Sequence, residues 1–192
     1  MKFHYPKPDP IFSFMGSGYM ETTEKIAESY CRYVKGWFTI SNIKCPGQYE
    51  IDLLALAPSS DKHLGRYHIE CGVSISYAYS KLTGKEFSVE KLKKRVGKAG
   101  QRRTIGYFIE RKFNPMPVVS ELRKYGFKKG NYSKVIVTRG WTTEAKKEAD
   151  SEGIILWDFR DILKEIAESC RGKRTYFIDD TLRTIQLFQS ST

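Results

Sequence analysis

The stretch "GQYEIDLLALAPSSDKHLGRYHIECGVSIS", Gly47 to Ser76, decides the fold. It holds two apolar runs, "YEIDLLALA" and "RYHIECGVS", separated by the turn-forming "PSSDKHLG". Runs of this length and composition read as strands. Each carries one acid inside it, Asp52 in the first and Glu70 in the second. A carboxylate is costly to bury without a partner. Strand side chains alternate between faces, so Glu50 and Asp52 share one face of their strand, and His68, Glu70, Gly72 and Ser74 share one face of theirs. Pairing the two strands brings Asp52 and Glu70 to one end of the sheet. Two carboxylates held close repel and raise each other's pKa. A hard divalent cation relieves that repulsion, and Mg²⁺ takes one or two carboxylates together with waters and substrate phosphate. The plainer alternative is a pair of acids that face solvent or meet nearby Lys or Arg side chains.

Outward from this stretch, "WFTISNI" adds a third strand through the turn "KCPGQ", which predicts an antiparallel meander. Upstream, Met20 to Lys35 has helical spacing, with Ile26, Tyr30, Tyr33 and Val34 on one side, Thr22 or Thr23 as the cap and Gly36 as the stop. Downstream, residues 75–87 form an insertion, and Ser88 opens a basic helical stretch, "SVEKLKKRVGKAGQRRTIGYFIERKF", that Gly97 and Gly100 can bend and "NPMP" ends. "SKVIVTRG", "TTEAKKEADSEG" and "IILWD" then read as strand, helix, strand, a parallel crossover from Ser133 to Asp158. "FRDILKEIAESC" and "DDTLRTIQLFQ" are closing helices around a basic connector. The order predicts an α/β fold, one mixed sheet flanked by helices. The 192 residues divide into an arm over 1–19, a domain over 20–170, and a connector and helix over 171–192 that pack on the same domain.

Thirty-three Lys and Arg against 22 Asp and Glu give a net charge of +11. A chain this basic attracts polyanions, nucleic acid first and anionic membrane second, unless the charge serves solubility alone. No apolar run nears the roughly 20 residues a membrane span needs, and the N-terminus has no signal-peptide core, so cytoplasm is the expected location. Cys31, Cys45, Cys71 and Cys170 lack zinc-site spacing and read as reduced thiols.

These motifs, in this order, resemble the PD-(D/E)xK nuclease superfamily, the restriction-endonuclease-like fold. "ETTEKIAESYCRYVKGWFTISN" looks like its first helix and strand, and "GQYEIDLLA" like the Asp-bearing strand of Mrr-type enzymes. "YHIECGVS" looks like the strand that usually ends in E-x-K. "VIVTRGWTTEAKKEADSEGIILWD" is similar to the closing β–α–β of Mrr-type domains. The resemblance spans about Met20 to Ala167 and implies the core order αβββαβ. It implies that Asp52 and Glu70 bind Mg²⁺, for which Mn²⁺ can substitute, helped by the Cys71 carbonyl. Glu24, or Glu28 one turn on, would hold an outer position. Gly72 stands where the family has lysine, whose ammonium orients water and stabilises phosphate charge. A lysine from elsewhere can take that role, with Lys81, Lys94 and Lys98 as candidates, or Gln101 can position the water, or cleavage has been lost.

The resemblance places the basic helix beside the substrate. On one ideal helix, Lys91, Lys94, Arg95, Lys98 and Arg102 fall on a broad common side, suited to phosphate. Tyr77, Tyr79 and Phe87 can stack on bases or pack under their loop, with packing the commoner use. His68 shares Glu70's face and can serve structure or a phosphate. The expected function is Mg²⁺-dependent endonuclease cleavage of DNA, with Glu24, Asp52, Glu70 and Gln101 at the reaction. Superfamily enzymes often act as dimers, which extends the expectation to a homodimer. The alternatives are a degenerate nuclease fold that binds nucleic acid without cleaving it, and an assembly module for acidic partners.

Overall fold

The computed structural model describes residues 21–58, 64–74, 80–94, 98–171 and 179–190, the last two of these by backbone alone. Five strands form one mixed sheet in the order β1-β2-β3-β4-β5. These are β1 (Phe38–Cys45), β2 (Tyr49–Ala57), β3 (Gly65–Cys71), β4 (Ser133–Thr138) and β5 (Ile154–Asp158). The first three make the expected antiparallel meander, and β4 joins β3, and β5 joins β4, in parallel. The turn between β1 and β2 needs left-handed backbone at Gly47 (φ +74°) and Gln48 (φ +64°), the first of which glycine adopts without strain.

Helices cover both faces. On one side lie α1 (Thr22–Ser29), its π-helical extension Tyr30–Val34, α7 (Phe159–Cys170) and α8 (Asp180–Ser190). Ala27, Tyr30, Cys31, Ile162, Ile166 and Leu182 from these helices bury Leu53, Ala55, Ile69, Val135 and Val137 of the sheet. On the other side lie α4 (Ile105–Tyr107), its π-helical extension Phe108–Phe113, α5 (Met116–Lys124) and α6 (Thr143–Ser151). Phe108, Phe113, Ala145 and Ala149 pack on Ile136 and Ile154, and Val118 and Leu122 pack on Ile51 and Leu54.

Several local expectations are corrected. The first helix is capped by Glu21, not by a threonine: Glu21 and Glu24 form a reciprocal capping box that satisfies two of the orphan N–H groups at its start. The basic stretch is not one helix. It forms α2 (Val89–Lys93), α3 (Lys98–Gln101) and α4, because the chain turns extended at Lys94 (φ −81°, ψ 129°). The common side drawn on a single helix therefore does not exist. "NPMP" ends one helix but opens another, α5, with proline in its first turn, where its missing N–H has no intrahelical partner to lose. All four cysteines are free, as expected.

Candidate active site

The β2–β3 ladder is regular down to Leu53 opposite Ile69. One step further, Asp52 faces Glu70, and side chains take over the backbone donors. Cys71 N–H donates to Asp52 Oδ2 at 2.8 Å, and Asp52 N–H points to Glu70 Oε1 at 3.4 Å. The sheet thus holds both carboxylates through its own amides. Asp52 is 3% exposed and Glu70 is fully buried.

Their counter-charge comes from a helix. Lys112 Nζ lies 2.8 Å from Asp52 Oδ1 and 2.7 Å from Glu70 Oε2, so one ammonium bridges both acids. Two buried anchors, Phe108 and Phe113, lock the π-helical turn that carries it. With both acids ionised the cluster keeps one negative charge in excess. Burial, then the charge of Glu70, push the Asp52 carboxyl up to about 7 against the opposing pull of Lys112. Burial likewise raises Glu70. Burial alone would lower Lys112, but Glu70 and Asp52 overcome it and hold the amine strongly protonated.

His68 stands behind the pair. Its ring is fully buried, with Phe113 edge-on at 4.9 Å. Burial drops its pKa to about 3, so the ring is neutral. Nε2 lies 2.7 Å from Glu70 Oε1; a neutral ring donates there, which leaves Nδ1 without a hydrogen-bond partner. His68 fixes one Glu70 oxygen while the other faces Lys112.

Glu24 and Glu28 separate. Glu28 accepts a hydrogen bond from Thr39 Oγ1 at 3.0 Å and belongs to the α1–β1 contact. Glu24, partly buried in the first turn of α1, is raised to about 7 by burial and then by the charge of Asp52. Glu50, Asp52's neighbour in the motif, pairs with Lys44 at 2.6 Å.

Gly72 acquires a packing reason. A Cβ there would stand 2.5 Å from Phe108 Cζ and 3.3 Å from an Arg103 guanidinium nitrogen. Arg103 donates to the carbonyls of Gly72 and of Val73, the latter at 3.2 Å, and so clamps the end of β3. Any side chain at Gly72 would dislodge the phenylalanine that anchors the Lys112 turn.

Of the lysines expected to replace the motif lysine, Lys81, Lys94 and Lys98 are exposed and pair with neither acid among the described residues. Lys112 does so instead. The signal was present in "FIERKF": Lys112 stands four residues after Phe108, on the same helical side as a buried anchor. Gln101 is engaged elsewhere, its Oε1 accepting the Ser88 N–H at 2.7 Å. Lys91, Lys94, Lys98 and Arg102 are exposed, divided between the α2 and α3 segments, and Arg95 lies outside the described residues. Tyr77 and Tyr79 also lie outside them, whereas Phe87 packs edge-on against Tyr107 at 5.9 Å.

Among the described residues, no group of three or more His, Cys, Asp and Glu is arranged to hold a metal ion. A magnesium site needs less. Two carboxylates that converge on a single cationic atom offer hard oxygen donors on one side and leave the rest of the shell to waters and a phosphate. Asp52 and Glu70 are the residues whose oxygens could hold such an ion, in the place that the Lys112 ammonium takes. No helix among the described residues is long and apolar enough to cross a membrane.

No family model matches the chain, and no curated protein matches it. A solved structure described as a protein of unknown function, AF1548, aligns over 85% of this chain and 78% of its own, at 18% identity and a TM-score of 0.44.

Proposed function

We propose that this protein is a divalent-metal-dependent nuclease of the restriction-endonuclease-like fold, acting on DNA. The observation that carries the reading is the ammonium of Lys112 set against both Asp52 and Glu70. It supplies, from a helix, the cation that Gly72 does not supply from the strand. The meander followed by parallel β4 agrees with the αβββαβ order that the resemblance implies.

In this reading Asp52 and Glu70 hold Mg²⁺ or Mn²⁺. When bound, the ion supplies Lewis-acid neutralisation of phosphate charge. Lys112 now donates to both acids; with the ion taking over those oxygens, its ammonium would be released to orient the attacking water and stabilise negative charge on the phosphoryl oxygens. Glu24, whose carboxyl changes protonation near neutral pH, exchanges a proton with water at the edge of the site. His68 orients Glu70 and keeps its Oε1 from turning away. The net charge of +11 draws the nucleic acid in.

The test is cleavage of supercoiled and branched DNA with Mg²⁺ or Mn²⁺, beside Asp52→Ala, Glu70→Ala and Lys112→Ala. Metal-dependent nicking that all three variants lose is the expected result. Nicking that survives Asp52→Ala and Glu70→Ala refutes the site.

A second reading follows from the same contact. Lys112 already meets both acids, so the ammonium can stand permanently where a metal would, and the fold would then bind nucleic acid without cutting it. Salt-sensitive DNA retention without cleavage, and without Mn²⁺ binding in calorimetry, would select it.

A further inference from the structure

The chain has three tryptophans, and all of them line one cavity of about 430 Å³. Trp37 precedes β1, Trp141 follows β4 and Trp157 sits in β5. Tyr30 adds a fourth ring, edge-on to Trp157 at 5.8 Å, and Trp37 lies 6.0 Å from Trp157. Each tryptophan is partly buried: Trp37 and Trp157 pack on the core of the α1–α7 side, Trp37 also stacking on Tyr67 at 4.5 Å, and Trp141 packs on the core of the other side, so each ring is fixed by packing and turns its remaining surface to the opening. Aromatic rings held by packing on one side and open to a cavity on the other can serve recognition as well as the core.

The same cavity is acidic. Asp158, Asp161 and Glu165 line it, in a protein that is otherwise strongly basic. Asp158 is committed to Arg160. Glu165 accepts from both the Tyr30 hydroxyl and Lys35 Nζ at 3.0 Å. Asp161 is exposed and has no ion pair among the described residues. The cavity also shows which ligand its chemistry suits. Lys35, part of the lining, holds its ammonium over the Tyr30 ring at 5.1 Å while paired to Glu165. A cation over an aromatic face beside a carboxylate is the arrangement that recognises ammonium and guanidinium groups.

We infer that this cavity is a second binding site, an aromatic and acidic cage for an organic cation, with Lys35 as its resident competitor. The inference is independent of the nuclease reading, because none of the cage residues belongs to the Asp52–Glu70–Lys112 cluster. The occupant is a free small molecule that carries an alkylammonium or guanidinium head, a size the cavity of about 430 Å³ admits.

Because no tryptophan lies elsewhere, emission excited selectively at tryptophan, beyond the absorption of the twelve tyrosines, reports on the rings that line this cavity. Tetramethylammonium chloride and N-acetyl-arginine amide are titrated separately, against sodium chloride at matched ionic strength and against neutral neopentyl alcohol. A saturable change with one or both cations, absent with the two controls, is expected; which cation binds tighter separates the alkylammonium head from the guanidinium head. Asp161→Asn should weaken the apparent affinity about two- to fivefold, the range of one exposed charge pair. Lys35→Gln should tighten it severalfold by removing the internal cation. No saturable response, an equal response to neopentyl alcohol, or weaker binding in Lys35→Gln overturns the inference. Loss of DNA cleavage in the catalytic variants bears on none of these outcomes.

Discussion

Replacing Lys112 by methionine keeps most of the side chain's volume and removes its charge. The variant leaves Asp52 and Glu70 facing each other, 3% and 0% exposed, with the excess charge raised from one to two. Breaking a buried ion pair by removing one partner costs about 3–5 kcal/mol, because the remaining charge is stranded in low dielectric. The cost depends on pH with a definite sign. Both carboxyls are already raised by burial in the native protein, Asp52 to about 7. An acid whose folded pKa lies above its unfolded value loses stability as pH climbs from the unfolded value through the folded one. Removing the ammonium raises both values further. At about pH 8 the variant should therefore lose about 3–5 kcal/mol. At about pH 5.5 one carboxyl keeps its proton, donates it to the other, and the loss should shrink to about 1–2 kcal/mol. Urea unfolding followed by far-ultraviolet circular dichroism at both pH values measures this. Adding Glu70→Gln to Lys112→Met should recover part of the loss at the higher pH. A loss below about 1 kcal/mol at pH 8, or one unchanged by acidification, would refute the claim that this ammonium balances the two acids. Manganese gives a separate arm: if the acids hold a divalent ion, saturating the variant at about 100 times its dissociation constant should return about 2.7 kcal/mol.

Other expectations follow from neighbouring contacts. His68→Phe keeps an aromatic ring against Phe113 but removes the donor to Glu70; it should cost about 1–3 kcal/mol in urea unfolding and weaken Mn²⁺ binding in calorimetry about 10–100-fold. Glu24→Gln should raise the melting temperature at about pH 8, where the native carboxylate is ionised at a cost, and leave it unchanged near pH 4.5, where the acid is already neutral; equal shifts at both pH values would contradict the raised pKa. Gly72→Ala should destabilise by about 1–3 kcal/mol, since its Cβ would meet Phe108, itself buried and unable to withdraw.

The strands were legible as short, nearly continuous apolar runs bounded by turns, because helices cover both faces and Ile51–Ala55 and His68–Glu70 are buried without a break. In "YEIDLLALA" and "YHIECGVS" the positions of Asp52 and Glu70 follow from a period of two, and the antiparallel register then places them opposite each other. The same rule put His68 on Glu70's side, where it donates to that carboxylate. Helical positions were read less well. A run of lysines and arginines fits a helix of any phase, because exposed charges are indifferent to their surroundings; nothing in it announced that Lys94 turns extended. Pro115 and Pro117 read as a break, although proline in a first turn is compatible with the helix that follows. Glu28 and Glu24, one turn apart, could be told apart only by what each meets, Thr39 for one and the field of Asp52 for the other. Lys112 was overlooked for a different reason. It belongs to no free basic face and lies on the buried side of an aromatic-anchored turn.

Lys112 and Asp52 are 60 residues apart in sequence, on segments that belong to different layers. A partly folded chain with the hairpin formed and the π-helical turn undocked would carry two unneutralised acids at the hairpin's end, and that penalty depopulates the half-formed species. The charge cluster therefore ties the meander to the helical layer as a cooperative fastener, which favours all-or-none unfolding over the separate melting of either part.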